Sequence, residues 1–546
     1  MDTVKRDATK KASLWIFAVL VGTYCAWVLT LPLFPSLDGP LHLYYASVLG
    51  NLLSDSTHFS AYYSVRHLFP PYALYYYLLI VTAHFCGYVL AEKLMVCVII
   101  IVTAFGFRYL ATYLGPAGDL VSLFIVPLLL NWPLGMGFYN YCLSIGIALW
   151  ALGMWYRAVD RHSHRLWLGF VAAVVLMVLT HPVPALFVYL LVGIDVVSQL
   201  FSRRYGSKGP ETRSVPLQRS NVLYMLLSWT TMLYILLFTA KHRTVANLLE
   251  KYDRTAVFSK LVKLSTLAMF SGSGSLVLAY RASLYCLLVF AIIWASKGIA
   301  HRIRSMSVLP ADLILVSSLF FLLILPIMPP VVNGANYFSQ RLVILVWIGA
   351  MAAASTHVPS SYLVRLRVIT FASVYGIGVL LFANSRIRPT AVQMAEIEAK
   401  PAPKRGMAGL VLSLPDAPNP KRLSYFPYYW AGTRYFRRSR AVLLNGGWLY
   451  ESYLPLGSRL EQITNQFTPA IQDSPGDAYE VLLHSQTARA QVMPHVNLVV
   501  FTGAETQARL LIILRSLDET GNGRAWTCLP EQWYSVCSTA SISPAK

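Results

Sequence analysis

The chain has 546 residues, 56% of them hydrophobic and 13% charged, and its mean hydropathy is +0.53. Soluble domains carry about 25% charged residues, and several runs here approach ~20 residues with no charge at all, which excludes a water-soluble globule. A formal charge of +21 would suit a nucleic-acid binder. The Lys and Arg residues instead fall in short loops between apolar runs, where topology and anionic headgroups place them. Nucleic acid is therefore excluded as a partner and membrane lipid is implied.

In chain order, Lys5, Arg6, Lys10 and Lys11 precede an apolar run from Leu14 to Leu31. The run is too long for a signal peptide and no small-x-small cleavage site follows it. It reads as an uncleaved first span with its N-terminus in the cytoplasm. The chain then leaves the bilayer through Leu37-Asp38-Gly39-Pro40-Leu41-His42-Leu43-Tyr44-Tyr45-Ala46. A helix starting at Pro40, a favoured first helical residue, would let Asp38 cap it and would put His42 in its first turn.

Apolar segments recur at about 71–90, 93–114, 119–133, 138–157, 166–182, 184–200, 222–240, 282–297, 309–328, 338–357 and 366–384. Counting each as a span puts Arg157, Arg161 and Arg165 outside, against the positive-inside rule. Treating 119–157 as one net crossing repairs this, because the polar break Asn131 to Gly137 suits a broken or re-entrant helix. The expected fold is thus a polytopic α-helical membrane protein with about 11 net crossings plus that broken segment, over residues 1–384. The extracytoplasmic side then receives the first outer loop 35–66, the turn at Thr180-His181-Pro182, the loop 241–281 and everything from 385 onward. Loop 241–281 mixes cations, among them Lys241 and Arg243, with Leu and Phe in the manner of an amphipathic surface helix.

After Asn384 the composition turns to Pro-rich linkers and short apolar runs. Gly409 to Leu414, Ala441 to Leu444, Val481 to Leu483, Val496 to Phe501 and Leu510 to Leu514 read as buried strands. Tyr428 to Phe436 and Leu456 to Thr464 read as helices. Residues 385–546 are enough for one small extracytoplasmic α/β domain. Cys528 and Cys537 lack zinc-site spacing and suit a local disulfide in an oxidising compartment. Arg434, Arg437, Arg438 and Arg440 are expected at lipid headgroups.

Candidate chemistry gathers at polar breaks. Asp38 near a low-dielectric wall would have the raised pKa of a general base, with His42 holding the carboxylate, sharing its proton or meeting phosphate. A helix cap beside a surface histidine explains the same residues. His181 lies in a turn on the Asp38 side, and Tyr139 and Asn140 follow the Gly-rich break, where polar groups line a cavity or satisfy broken backbone. Arg341, after Tyr337, stands at the outer end of a span, and its planar fork suits a phosphate.

A first span followed by an outer-loop Asp in an Asp-Gly-Pro-x-His setting, about a dozen hydrophobic segments and a C-terminal soluble domain resemble the GT-C superfamily of integral-membrane glycosyltransferases. The resemblance implies a sugar donor on polyprenyl phosphate, a bacterial inner-membrane location and Asp38 as the acidic residue of the first outer loop that acts as catalytic base. His181, Arg341, Lys241 and Arg243 would then serve the donor phosphate, with Tyr139, Asn140 and Tyr337 lining the cavity. Many members carry a second acidic residue beside the first. Here the neighbours are Leu37 and Gly39, which leaves dependence on a divalent metal open. A non-catalytic scaffold subunit with the same fold is the alternative.

Overall fold

The structure is a computed structural model. It describes residues 2–54, 57–60, 62–65, 67–204, seven positions between 226 and 237, 275–297, 299, 309–324, 331–332, 335–336, 338–356, 361–399, 407–413, 432–444, 456–458, 475–493, 496–502, 507–517, 526–530 and 534–539. Most of loop 241–281, including Lys241 and Arg243, lies outside these residues, as does Tyr337; from Ser275 the chain is already helical.

The first span is α1 (Asp2–Thr30), followed by α2 (Gly39–Leu53), strand β1 (Tyr63–Val65), α3 (Ala73–Cys86) and α4 (Tyr88–Leu114). Then come α5 (Tyr139–Arg161), α6 (His164–Thr180), α7 (Pro182–Arg204), α8 (Ser275–Ser296), α9 (Pro310–Ile324), α10 (Phe338–Ala353) and α11 (Tyr362–Ala399). Among the described residues six helices are long and apolar enough to cross a membrane. The protein is a mostly helical membrane protein.

Side-chain contacts assign several helix ends to one of two poles. Near the start of α4, Lys93 donates to the carbonyls of Leu29 and Leu31 at the end of α1 (3.0 and 2.9 Å), as a cation does at a helix C-terminus. Near its other end Arg108 reaches Ser13 (3.5 Å), so α4 runs antiparallel to α1. The segment between α4 and α5 is broken into Gly118–Val121, a 3-10 turn Ser122–Leu128 containing Pro127, and Trp132–Gly135. It begins beside Ser13, whose hydroxyl donates to the Asp119 carbonyl (2.8 Å), and ends where the Gly135 carbonyl accepts from Leu37 N–H (3.1 Å). It therefore travels the length of α1. The break is as expected, but the segment traverses and is not re-entrant. Asn131 repairs the interruption, accepting from Leu134 N–H and donating to the Leu128 carbonyl, both at 3.0 Å.

The compensating correction is α3. It starts beside His181, against which Tyr72 packs at 4.8 Å, and it hands the chain through Gly87 to α4 only one turn before Glu92. Both of its ends lie at the Asp38 pole, so the apolar run 71–90 is not a span. Helix α2 is buried on every side from Gly39 to Leu49. Helix α3 and the C-terminal residues cover it.

Helix α11 continues past the composition change after Asn384. Its 38 residues measure about 57 Å at 1.5 Å per residue, against a hydrocarbon core of about 30 Å. It starts at the pole opposite Asp38, where Arg365 pairs with Asp119 (2.7 Å, both buried), and carries Glu398 to Arg434 at the Asp38 pole.

The C-terminal residues contain β2 (Ala408–Ser413), α12 (Gly432–Ser439), β3 (Val442–Leu443), β4 (Leu456–Ser458), α13 (Pro475–His484), β5 (Leu498–Thr502), α14 (Gln507–Leu517), β6 (Thr527–Pro530) and β7 (Tyr534–Ser538). Five of the strands form a mixed sheet of order β3-β2-β5-β7-β6, parallel through β3, β2 and β5 and antiparallel beyond. Cys528 and Cys537 face each other across β6 and β7 and are joined by a disulfide. Two expected strands are helices: Val481–Leu483 lies in α13 and Leu510–Leu514 in α14. Their buried residues, Ala478 with Leu482, and Leu510, Leu514 and Leu517, follow the helical repeat that a short apolar run conceals. Leu456 to Ser458, expected as helix, is strand β4 and pairs with β1.

The Arg365–Asp119 pair generates a stability prediction. Asp119→Ala leaves a buried guanidinium unpaired and should cost about 3–5 kcal/mol, measured by SDS titration in bicelles. Asp119→Asn, which keeps an acceptor, should cost less.

Candidate active site

The lip is built by backbone before any side chain acts. Leu37 and Asp38 donate their N–H groups to the carbonyls of Gly135 and Met136, both at 3.1 Å. Gly137 has φ +80°, and a Cβ there would lie 2.7 Å from Gly39 N and 2.9 Å from Asp38 N, so no other residue fits this seat. On the other side of the loop, a Cβ on Gly39 would overlap Ser36 Oγ and lie 2.5 Å from Glu92 Oε1. The Gly after Asp38 is therefore a packing requirement imposed by Glu92, Ser36 and Tyr139.

Asp38 precedes α2 with helical backbone angles and makes no side-chain capping bond, so the expected cap is not formed. Its carbonyl closes the first turn by accepting from His42 N–H (2.9 Å). Burial pushes the carboxyl up to about 7, while the positive field of Arg341 pulls the other way. A carboxyl poised there exchanges protons at neutral pH.

His42 is buried in a cage of tyrosines. Its Nδ1 lies 2.9 Å from the Tyr76 hydroxyl, and the rings of Tyr75, Tyr76 and Tyr139 are 5.6–5.7 Å from its own. Burial lowers its pKa to about 3, a bond to the Gly137 backbone notwithstanding. It is thus neutral at physiological pH and ties α2 to α3 and to the Gly137 seat. This role differs from sharing a proton with Asp38.

Arg341 and His181 come together. Arg341 Nη1 is 3.2 Å from His181 Nε2, and since a guanidinium only donates, the imidazole accepts. Burial, and then the charge of Arg341, hold His181 well below its ordinary pKa. The guanidinium stacks over Phe138 at 4.0 Å, and the Arg341 carbonyl accepts from Tyr141 OH at 2.5 Å. Among the described residues its buried Nε has no hydrogen-bond partner. Asn140 donates to the carbonyl of Tyr72 (3.3 Å), a residue in the left-handed region at φ 77°, and its Oδ1 also has no partner among the described residues. The start of α5, the turn between α6 and α7, and the start of α10 thus meet at one point beside Asp38.

Tyr139, expected to line a cavity, is fully buried. It donates to Glu92 Oε1 (3.0 Å) and so accepts from Ser36 (2.7 Å). Glu92 also pairs with Arg434 at 2.9 Å, both side chains fully buried, and Glu398 pairs with Arg434 (3.5 Å) and Arg437 (2.7 Å). Arg434 and Arg437 are therefore engaged within the protein and do not meet lipid headgroups. Sequence reasoning missed Glu92. Its signal was an acidic residue inside an apolar run. Among the described residues no three His, Cys, Asp or Glu come together as a metal site, and the Glu92 carboxylate already serves Tyr139 and Arg434.

The chain shares its overall fold with solved structures of ArnT from Cupriavidus metallidurans. ArnT from Cupriavidus metallidurans bound to undecaprenyl phosphate is similar to it with TM-score 0.53 and 12% identity over 98% of this chain and 99% of that one. The apo state of ArnT gives TM-score 0.51 and 12% identity over 99% and 100%. The Archaeoglobus fulgidus oligosaccharyltransferase tethered with an acceptor peptide gives TM-score 0.44 and 11% identity over 98% and 74%. No protein-family model matches the sequence, and no curated protein matches it significantly.

The seat makes its own prediction. Gly137→Ala should displace Asp38 while the bundle stays folded, visible as faster amide exchange in peptides covering 34–42. Unchanged exchange there would refute the close approach.

Proposed function

We propose that the protein is a membrane glycosyltransferase that moves a sugar from a polyprenyl-phosphate-linked donor to an acceptor at the extracytoplasmic face. The observation that carries this reading is the convergence of Arg341, its Nη1 3.2 Å from His181, on the loop that carries Asp38, near enough for its charge to act on the buried carboxyl. In the proposed step Asp38 accepts the proton of an acceptor hydroxyl or amine. The acceptor attacks the anomeric carbon, the bond to the phosphate oxygen breaks, and configuration inverts. The departing lipid phosphate gathers negative charge, which Arg341 stabilises. His181, kept neutral, accepts one Arg341 donor and so directs the others. A hydrophobic span fold similar to a protein bound to undecaprenyl phosphate supports the lipid carrier. Lys241 and Arg243 remain further candidates for the phosphate.

Arg108, Arg157, Arg161, Arg165 and Arg365 lie toward the other pole, which supports placing that pole in the cytoplasm. The N-terminus then starts inside, and residues 385–546 form an extracytoplasmic α/β unit on the bacterial inner membrane. The chain also fits a catalytically silent scaffold of the same fold, and one substitution separates the readings. Asp38→Asn should lower sugar transfer by about 10²–10⁴-fold in protein of unchanged thermal stability. A folded Asp38→Asn variant that supports transfer normally would favour the scaffold.

The pH dependence follows with its sign. A base must be deprotonated, so transfer should fall as pH drops through about 7. A rate flat from pH 5 to 8 would exclude Asp38 as the base.

A further inference from the structure

Two carboxylates, Glu92 and Glu398, and two guanidiniums, Arg434 and Arg437, form a charge-balanced chain from the membrane bundle to the C-terminal residues. Arg434 is its middle link. It sits on α12, fully buried, 2.9 Å from Glu92 Oε2 and 3.5 Å from the Phe34 carbonyl in the irregular segment leading to Asp38. Glu92 Oε1 lies where Gly39 would carry a Cβ. The same carboxylate therefore touches the lip with one oxygen and the C-terminal arginine with the other.

Further bonds hold α12 and its neighbours against the lip. The Tyr44 hydroxyl of α2 donates to the Ala441 carbonyl (3.0 Å) and accepts from Leu443 N–H (2.8 Å), capping the edge strand β3. Tyr63 donates to the Leu443 carbonyl (3.0 Å), and β1 pairs with β4. The first outer loop and the sheet edge are thus one packed unit. Its ionic centre lies directly under the residue after Asp38.

We infer that Arg434 is a positioning residue: through Glu92 and Gly39 it sets the height of the Asp38 loop, so that a competent lip requires the C-terminal segment to be docked. The inference rests on the transferase reading for its effect on rate. Its structural half stands without it. Removing the guanidinium leaves Glu92 buried and uncompensated. The carboxylate must then move toward water or recruit a proton, and the Ser36–Tyr139–Glu92 bonds under the loop reorganise. A displacement of about 1 Å at a reacting group costs on the order of 10²-fold in rate.

The test uses full-length protein in nanodiscs and two readouts on three variants. Arg434→Met should make peptides spanning 31–44 exchange their amides at least about tenfold faster, a local opening, while peptides from α5 and α6 stay protected. It should lower kcat far more than it raises KM for a polyprenyl-phosphate sugar. Arg434→Lys, which keeps a cation, should recover part of both. If Arg434→Met fails to fold, Arg434→Gln, which keeps a hydrogen-bond donor for Glu92 but no charge, carries the same expectations in smaller degree. Unchanged exchange over 31–44 in a folded variant overturns the inference. Faster exchange in a variant whose wild-type parent transfers no sugar leaves the inference standing and sinks the transferase reading instead.

Discussion

The structure depends on one close approach of backbone to backbone. Gly137, at positive φ, lies against Asp38 and Gly39 with no side chain on either glycine to hold them apart. The two N–H donors of Leu37 and Asp38 are satisfied by carbonyls of the broken segment, and a loop at a membrane surface thereby gains the fixity of regular structure. Both parts of this contact are irregular backbone. Such backbone is tolerated at membrane depth only where protein surrounds it, and here α2, α3, α5 and α12 do so. The Asp38 carboxyl is held at the edge of this packing, where burial raises its pKa.

Charge is arranged around the seat in two separate groups. On one side Arg341 is stacked on Phe138 and bonded to a neutral imidazole, with its Nε unpartnered among the described residues. Stacking on an aromatic face leaves the in-plane donors of a guanidinium available to an anion. On the other side Glu92 is fully committed to Tyr139 and Arg434. A buried ion pair of this kind contributes little net stability, but it fixes geometry, and it lies under the loop that needs fixing. The division leaves Arg341 with capacity for a phosphate and spends Arg434 on architecture.

Much of this was legible in the sequence, for reasons particular residues make clear. Asp38, His181 and Arg341 stand at polar interruptions of apolar runs, and helix ends of one pole are brought together by the alternation of spans. The break at Asn131 to Gly137 announced itself through Pro and Gly. What stayed hidden was whether that segment crosses. The positive-inside test responds to the parity of crossings, and exchanging a span at 71–90 for one at 118–137 leaves parity unchanged. Glu92 and Arg434, 342 positions apart, could not be paired without coordinates, and a basic cluster such as Arg434 to Arg440 reads as headgroup contact until one member is found buried. The helices at 475–484 and 507–517 were concealed because three or four apolar residues fit either period.

The central claim is that Asp38 and Arg341 face one phosphate-accepting hollow. Cryo-electron microscopy of the protein in nanodiscs with undecaprenyl phosphate measures this directly. The account predicts phosphate density bonded to Arg341 beside the Asp38 carboxylate, with the lipid tail leading into the bundle. Density at the opposite pole, by Arg108 and Asp119, with the Asp38 lip vacant, would contradict it.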